Sequence, residues 1–555
     1  MSDQWGPPTG EPVPPEQAPP PPPPDQFPPP PPPGPYGAPP PPPPGQWPPG
    51  VAPHPRRSRR WWWIGGAIFV VVALAAGGIT AVLLSGGSSG GADSPQAAVL
   101  KILAAAENND AFAAADLLDP SEADGVRQVL NNAHNTAEQT GYQKGGGQNG
   151  LLQGLKVSTD NVNTSVSNVR DDLARVTITG GKITIGFDPS NSNEGVRDLL
   201  NNKDQRTRTW SSDDLSTSSN SGDKLQPAVM TVRRSGRWYV SILYTYIDTA
   251  ARKTDVQPAD PGSIDTQSFD SPEAAAKGFV DGLVAMINKA DVMELAKTLS
   301  PEDAVLVGTY RKFLERNMKP RSAQVVGTPA FSAKTDGDSA NITVDDLTIQ
   351  WNTDEGDSKK VRFHGGCITN GSGGTRCGAG DFASGGYILG PNSTGVIATK
   401  GSKGWHVDPV ATYLNGAADE LHNASKQDVA MLMAESFGAP KAFLRLDAQD
   451  TLNLNDSKTV TLKKGGIEGL GYAVFDVPVQ SGEQVTITVK QQSGTDQDNG
   501  LYFMAVGQSG RLASDHTYAD STYPATDSFS ASNSEKVKLV VWGSADQSVS
   551  VAAHD

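Results

Sequence analysis

Cysteine is nearly absent from this chain. Its 555 residues contain only Cys367 and Cys377. Two thiols exclude a disulfide-dense scaffold, a cysteine-rich zinc module and an iron–sulfur protein. Basic residues are in deficit, 46 Lys and Arg against 61 Asp and Glu, for a formal net charge of -15. A nucleic-acid binder would carry a basic face, so that class is set aside. No stretch has a recognised catalytic signature with its required context. Proline is scarce except at the start, where 28 of the 43 prolines fall between Met1 and Pro55. At roughly 100–200 residues per domain, the length predicts about three domains.

The proline-rich start sets its own rules. Pro-Pro runs donate no backbone hydrogen bonds and hold the chain extended. With so little to bury, residues 1–60 are expected to be a disordered tail ending in a basic stop. Trp5, Phe27, Tyr36 and Trp47 are spaced through it. They suit either a ligand for an aromatic-lined groove or a solvated spacer.

Long apolar runs are missing too, with one exception. Trp61–Leu84 carries no charge and is rich in Ile, Val, Leu, Ala and Gly. That is long enough to cross a ~30 Å hydrocarbon core as a helix. Arg56, Arg57, Arg59 and Arg60 precede it, and Trp61, Trp62 and Trp63 open it. Tryptophans favour the headgroup interface, and the arginines mark their side as cytoplasmic. A cleaved signal peptide would have a shorter leader and core. Residues 61–84 are therefore expected to be an uncleaved signal anchor, N-terminus inside and bulk outside. The tail and its four arginines sum to zero, so the negative charge belongs to the exterior part. A Gly/Ser linker, 85–93, follows.

The exterior repeats itself. Asp93-Ser94-Pro95-Gln96-Ala97-Ala98 and Asp270-Ser271-Pro272-Glu273-Ala274-Ala275 each open a helical pattern. Ser then Pro is an N-cap followed by a first-turn residue. Further on stand Leu118-Asp119-Pro120-Ser121-Glu122 and Leu299-Ser300-Pro301-Glu302-Asp303. At the far ends, Gly236-Arg237-Trp238 parallels Lys403-Gly404-Trp405, and Thr245-Tyr246 parallels Thr412-Tyr413. Between them lie alternating strands: Val176, Ile178, Ile183, Ile185 and Phe187 in one copy, Ala340, Ile342 and Val344 in the other. Each copy, 94–255 and 271–424, is expected to run helices first and then an antiparallel sheet, joined by a linker at 256–270. The fold class is α+β. After a helical linker, 425–446, regularly spaced short strands from 447 to 555 predict an all-β sandwich.

The order of elements in the two copies resembles the nuclear transport factor 2-like cone fold, found in many actinobacterial single-pass membrane proteins. The phrases Val485-Thr486-Ile487-Thr488-Val489 and Tyr502-Phe503-Met504 resemble the bacterial pre-peptidase C-terminal β-sandwich. The first resemblance implies a helix-backed cone with room for a cavity. The second implies an accessory module of a secreted protein. Enzymes of the cone family carry acids and histidines inside the cone, and no such set matches here residue by residue.

Outside the cell, Cys367 and Cys377 are expected to form a disulfide, because thiols oxidise there and the segment between them can turn back. A metal site with His364 and Asp381 and a reactive thiol are the alternatives. Gly145-x-Gly147-x-x-Gly150 lacks the strand and helix of a dinucleotide fingerprint. Asp336, Asp338, Asp345, Asp346, Asp496 and Asp498 lack the spacing of a calcium loop and are expected to be turn acids. His134, His364, His406, His422 and His516 show no triad partner, and Trp238 and Trp405 are expected to be core residues.

These readings predict no catalytic, cofactor or metal residues. They predict a non-catalytic binding or scaffold protein of the cell envelope. Its partners are the membrane, a cytoplasmic partner of the tail and an envelope protein or wall polymer outside. A small-molecule or lipid carrier using a cone cavity is the alternative, and a wall-polymer hydrolase is the third.

Overall fold

The computed structural model describes residues 90–555, apart from 145–152, 200–205, 371–374, 378–394, 467–469, 494–500, 518–523 and a few isolated positions. The proline-rich tail, Arg56, Arg57, Arg59 and Arg60, the three tryptophans Trp61–Trp63 and the apolar run to Leu84 lie outside the described residues. Among the described residues, no helix is long and apolar enough to cross a membrane.

The described chain is α+β. Repeat one opens with helices α1 (Pro95–Glu107), α2 (Ala111–Ala115) and α3 (Pro120–Gln139). The Ala97 amide donates to Ser94 Oγ at 3.1 Å, and Pro95 takes the first helical position, where its missing N–H costs nothing. Strands β1 (Leu155–Arg170), β2 (Leu173–Phe187), β3 (Arg206–Ser211), β4 (Ala228–Arg234) and β5 (Arg237–Ser241) form one sheet. Its order is β1-β2-β4-β5, with β3 also on β2. Helix α4 (Ile242–Lys253) closes the repeat.

Repeat two repeats the scheme. Helices α5 (Pro272–Lys289), α6 (Met293–Ala296) and α7 (Pro301–Thr309) come first, and Ser271 Oγ accepts from the Ala274 amide at 3.2 Å. Strands β6 (Ala330–Asp336), β7 (Ser339–Asn352), β8 (Ser358–His364), β9 (Cys367–Asn370), β10 (Thr375–Cys377), β11 (Gly395–Gly401) and β12 (Gly404–Val407) follow. The sheet order is β10-β9-β8-β7-β11-β12, with β6 also on β7. Helix α8 (Pro409–Asn423) ends it.

Two isolated bridges fix the helices on the sheet in each repeat, at matching places. In repeat one, Ala92 bridges Trp238 and Leu118 bridges Val240; in repeat two, Phe269 bridges Trp405 and Leu299 bridges Val407. The Thr-Tyr phrases gain a physical reason as well. Thr245 Oγ1 donates to the Ser241 carbonyl at 2.6 Å and accepts from the Met230 amide at 2.9 Å. Thr412 Oγ1 donates to the Asp408 carbonyl at 2.7 Å and accepts from the Ile397 amide at 2.8 Å. Each hydroxyl ties the first turn of a helix to the strand beside it. Trp238 and Trp405 are both buried, in the layer between helices and sheet. That layer is filled by side chains: Val99, Ile102, Leu103 and Val176 in repeat one, Phe279, Leu299, Ile342 and Val407 in repeat two.

The C-terminal part is two antiparallel sheets face to face. Strands β13 (Asp456–Thr461), β15 (Gln484–Ser493), β18 (Ala525–Ser530) and β20 (Ser548–His554) form one, in the order β13-β20-β15-β18. Strands β14 (Leu470–Val479), β16 (Leu501–Gly507), β17 (Gly510–Thr517) and β19 (Glu535–Ser544) form the other, β14-β19-β16-β17. Val477, Val485, Phe503, Leu539 and Val551 alternate into the shared core. The outer face of the second sheet is also covered. Helix α9 (Lys426–Ser436) and the turn Pro440–Arg445 bury Met431 and Phe443 there against Val474, Met504 and Trp542, and Tyr142 of repeat one joins the same core.

Candidate functional site at the junction of the repeats

The two repeats exchange contacts reciprocally. Helix α8 of repeat two packs on α3 of repeat one. The backbones come so close that a Cβ on Gly125 would lie 2.7 Å from Leu414. Asn132 Nδ2 donates to the Ala418 carbonyl at 2.8 Å, and Thr136 Oγ1 to the Leu421 carbonyl at 2.6 Å. In the other direction, Leu306 and Tyr310, at the end of α7, pack against Leu173, Met230, Val232 and Tyr244 of repeat one. This is the mutual arrangement of a two-fold dimer, made within one chain and unequal in its two halves.

Charged groups are buried along this seam. Asp248 on α4 is 1% exposed. It accepts from Arg175 Nε at 2.9 Å, from an Arg175 terminal nitrogen at 2.6 Å and from the Tyr310 hydroxyl at 3.1 Å. Burial, and then the Asp248 charge, push the Tyr310 phenol well up. Arg170 pairs with Asp172 and donates to Thr309 Oγ1 at 2.9 Å. The Arg175 fork satisfies the buried Asp248 carboxylate at both oxygens, so that pair offsets much of its desolvation, while Asp172 is half-buried.

A second cluster sits where α3 and α7 begin. Asp119 caps α3 and accepts from Arg234 at 2.9 and 3.3 Å. Glu122, buried, accepts from Ser241 Oγ at 2.7 Å, from the Ile242 amide at 2.7 Å and from the Leu243 amide at 3.1 Å. It thus caps the N-terminus of α4 from another helix. Burial pushes its carboxyl up to about 7, against the pull of those donors. In repeat two, Asp303 holds the matching position and Asp408 replaces Ser241. Asp303 accepts from Ser300 Oγ at 2.9 Å, and Asp408 accepts from the Ala411 amide at 2.8 Å. Burial, then the Asp408 charge, raise Asp303, and burial raises Asp408.

These carboxylates cap helices and pair with arginines. The hydroxyls against them, Ser241 on Glu122 and Ser300 on Asp303, also cap helices, and among the described residues no group of three or more His, Cys, Asp and Glu could hold a metal ion. Of the histidines, His406 is buried in β12 beside the second cluster, where burial pulls its imidazole down against the Glu302 charge. His134 bonds Gln143 at 2.8 Å, His364 bonds Thr369 at 3.2 Å, and His516 stacks on Tyr502 with centroids 5.6 Å apart. Asp346 pairs with Arg362 at 2.9 Å, and Asp345 accepts from Ser332 at 3.1 Å, so both act as surface partners rather than calcium ligands. An open groove of about 370 Å³ lies on the sandwich, lined by Asp450, Thr461, Lys463, Phe475 and Asp546. It is open to solvent, unlike an enclosed ligand site.

Cys367 and Cys377 lie directly opposite each other in the β9–β10 register, beside His364, which faces Cys367 across β8–β9. Asp381 and the glycine motif at 145–150 lie outside the described residues. The seam carboxylates form no recognised motif in the sequence, because Arg234, Ser241 and Tyr310 meet them only in space. The available signal was the repeat itself: Glu122 and Asp303 occupy the same place, third after the cap, in the two matching phrases.

No family model and no curated protein matches this chain. Over 20% of its length it has a weak likeness to a solved β-sandwich, the pre-peptidase C-terminal domain of a collagenase from Bacillus anthracis. That likeness has 14% identity, covers 98% of that chain and has a TM-score of 0.15. An insecticidal delta-endotoxin of Bacillus thuringiensis is similar over 76% of this chain and 55% of its own, at 8% identity and a TM-score of 0.11.

Proposed function

We propose that this chain is a non-catalytic, membrane-anchored scaffold or binding protein of the bacterial envelope. In this reading 61–84 is the signal anchor, the proline-rich tail meets a partner in the cytoplasm, and two cone-like repeats and the sandwich stand outside. The observation that carries it is the way the parts are joined. Repeat one shares a buried core with repeat two and another with the sandwich, and the Tyr310 hydroxyl bonds Asp248 across the repeats, so a force or contact at one end is transmitted to the other. Filled layers between helices and sheets favour a presenting surface over a carrier's cavity. Facing register at Cys367 and Cys377 suits a disulfide that braces the β9–β10 tip, since directly opposed strand residues fall within disulfide reach.

Deleting Met1–Pro55 tests this. The expected result is a folded, membrane-retained protein that loses its cellular position or its partner. Wild-type position and phenotype without the tail would contradict the reading. For the cysteines, alkylation of the unreduced protein should leave both unlabelled, and labelling without reductant would remove the disulfide.

A further inference from the structure

We infer that β1 is a self-pairing edge, through which two copies of this chain join their repeat-one sheets antiparallel about Val166. This goes beyond the scaffold reading and does not depend on it. Strand β1 ends its sheet, and among the described residues no strand or backbone donor pairs with its outer side. An unpaired row of N–H and C=O groups is a template for another strand, and proteins blunt such edges with charge, proline, bulges or short length.

The second repeat supplies an internal control. Val229 and Val396 stand at the same distance before Trp238 and Trp405. Val229 faces Val176 and Val396 faces Ile342. Across the next ladder, Val176 faces Val166 and Ile342 faces Ala333. So β1 and β6 are equivalent strands, and Val166 corresponds to Ala333. Strand β6 has 7 residues, with Lys334 at the place of Ser167 and Asp336 two further on. Strand β1 has 16 residues and no charge or proline from Asn161 to Val169. Charge and short length blunt β6, and β1 has neither across this stretch. The bulges of β1, at 160–164 and 168–170, leave Thr164–Asn168 between them in regular register.

The same stretch matches itself. A two-fold axis through Val166 sets Val166 against Val166, Ser165 against Ser167 and Thr164 against Asn168. No like charges meet, which matters for a chain of net charge -15 whose copies otherwise repel. Val166 is 43% exposed, although its partner Val176 is fully buried on the same face. A second Val166 would cover it as a cross-strand pair. A contact of one strand per partner is small, so association should be weak and concentration-dependent.

Sedimentation of the full chain across a broad concentration series tests this. Wild type should pass from monomer to dimer. Val166→Lys and Val166→Asp, both at an exposed position, should each weaken self-association by at least about tenfold, while an equal mixture of the two should regain it. Val166→Cys should cross-link to its own copy on mild oxidation, and Ala333→Cys should not. A wild-type monomer at every concentration would overturn the inference. So would a dimer that Val166→Lys leaves unchanged, or a mixture that fails to recover.

Discussion

Glu420 sits on the buried side of α8, 6% exposed, and its Oε1 has no hydrogen-bond partner among the described residues. Burial, and then the nearby Asp428 charge, push it up to about 9 from an ordinary 4.5. Between those values the folded chain holds a proton that the unfolded chain releases. Raising the pH through that window therefore removes stability. Glu122 adds to the same slope up to about 7. Glu420→Gln should flatten the slope, melting above wild type in mildly alkaline buffer and level with it in acid. Thermal melts across pH measure this, and parallel wild-type and variant curves would refute it. Gly466 is a second single-residue constraint. Its amide donates to Asp428 Oδ2 at 2.7 Å, and a Cβ there would lie 1.8 Å from the Asn423 carbonyl. Gly466→Ala should cost at least about 1–3 kcal/mol, the range for overpacking, read as a shift in the urea midpoint. Neither constraint is legible in the sequence, because Glu420, Asp428 and Gly466 meet only in space.

At the scale of elements, the two Thr-Tyr phrases were visible as a repeat, but their work was not. Thr412 serves a buried backbone N–H, which Val in its place would strand. Thr412→Val should cost about 1–3 kcal/mol, and Thr245→Val a similar amount. Equilibrium unfolding measures both, and unchanged midpoints would refute the role. The helix openings were legible for a plain reason: Ser-Pro caps and apolar spacing are local signals, and Ser94 and Ser271 cap where those signals place them. Strand pairing is not local. The alternating pattern marked Val176 and Ile342 as strand residues, yet it could not show that β1 is a long bare edge and β6 a short charged one. Segment 425–446 reads as helical in the sequence. Its burial of Met431 and Phe443 against the sandwich depends on a sheet far along the chain. Phe443→Ala should cost about 3–5 kcal/mol, as a buried aromatic removed from a packed core. A loss under about 1 kcal/mol would mean the segment is a tether and not a wedge.

At the scale of the whole molecule, local patterns mark the elements of residues 90–555 but not how those elements are joined. Tyr142 belongs to repeat one, but its hydroxyl donates to the Ala442 carbonyl at 3.1 Å, and Arg445 lies 5.5 Å from its ring centroid. Asp248 and Tyr310 tie repeat one to repeat two in the same manner. These links come from residues 300 or more positions apart in the case of Tyr142 and the 440–445 turn. The α+β class and the strand-rich C-terminal part were legible because each rests on local periodicity. The seam was not, because acids and arginines in a sequence give no hint of their partners. A body joined in this way should unfold as a unit, as the proposed scaffold role requires. Calorimetry of the full chain tests that claim most directly. The account predicts one endotherm for the two repeats and the sandwich, with calorimetric and van't Hoff enthalpies equal. Separate transitions for the sandwich and the repeats would contradict it.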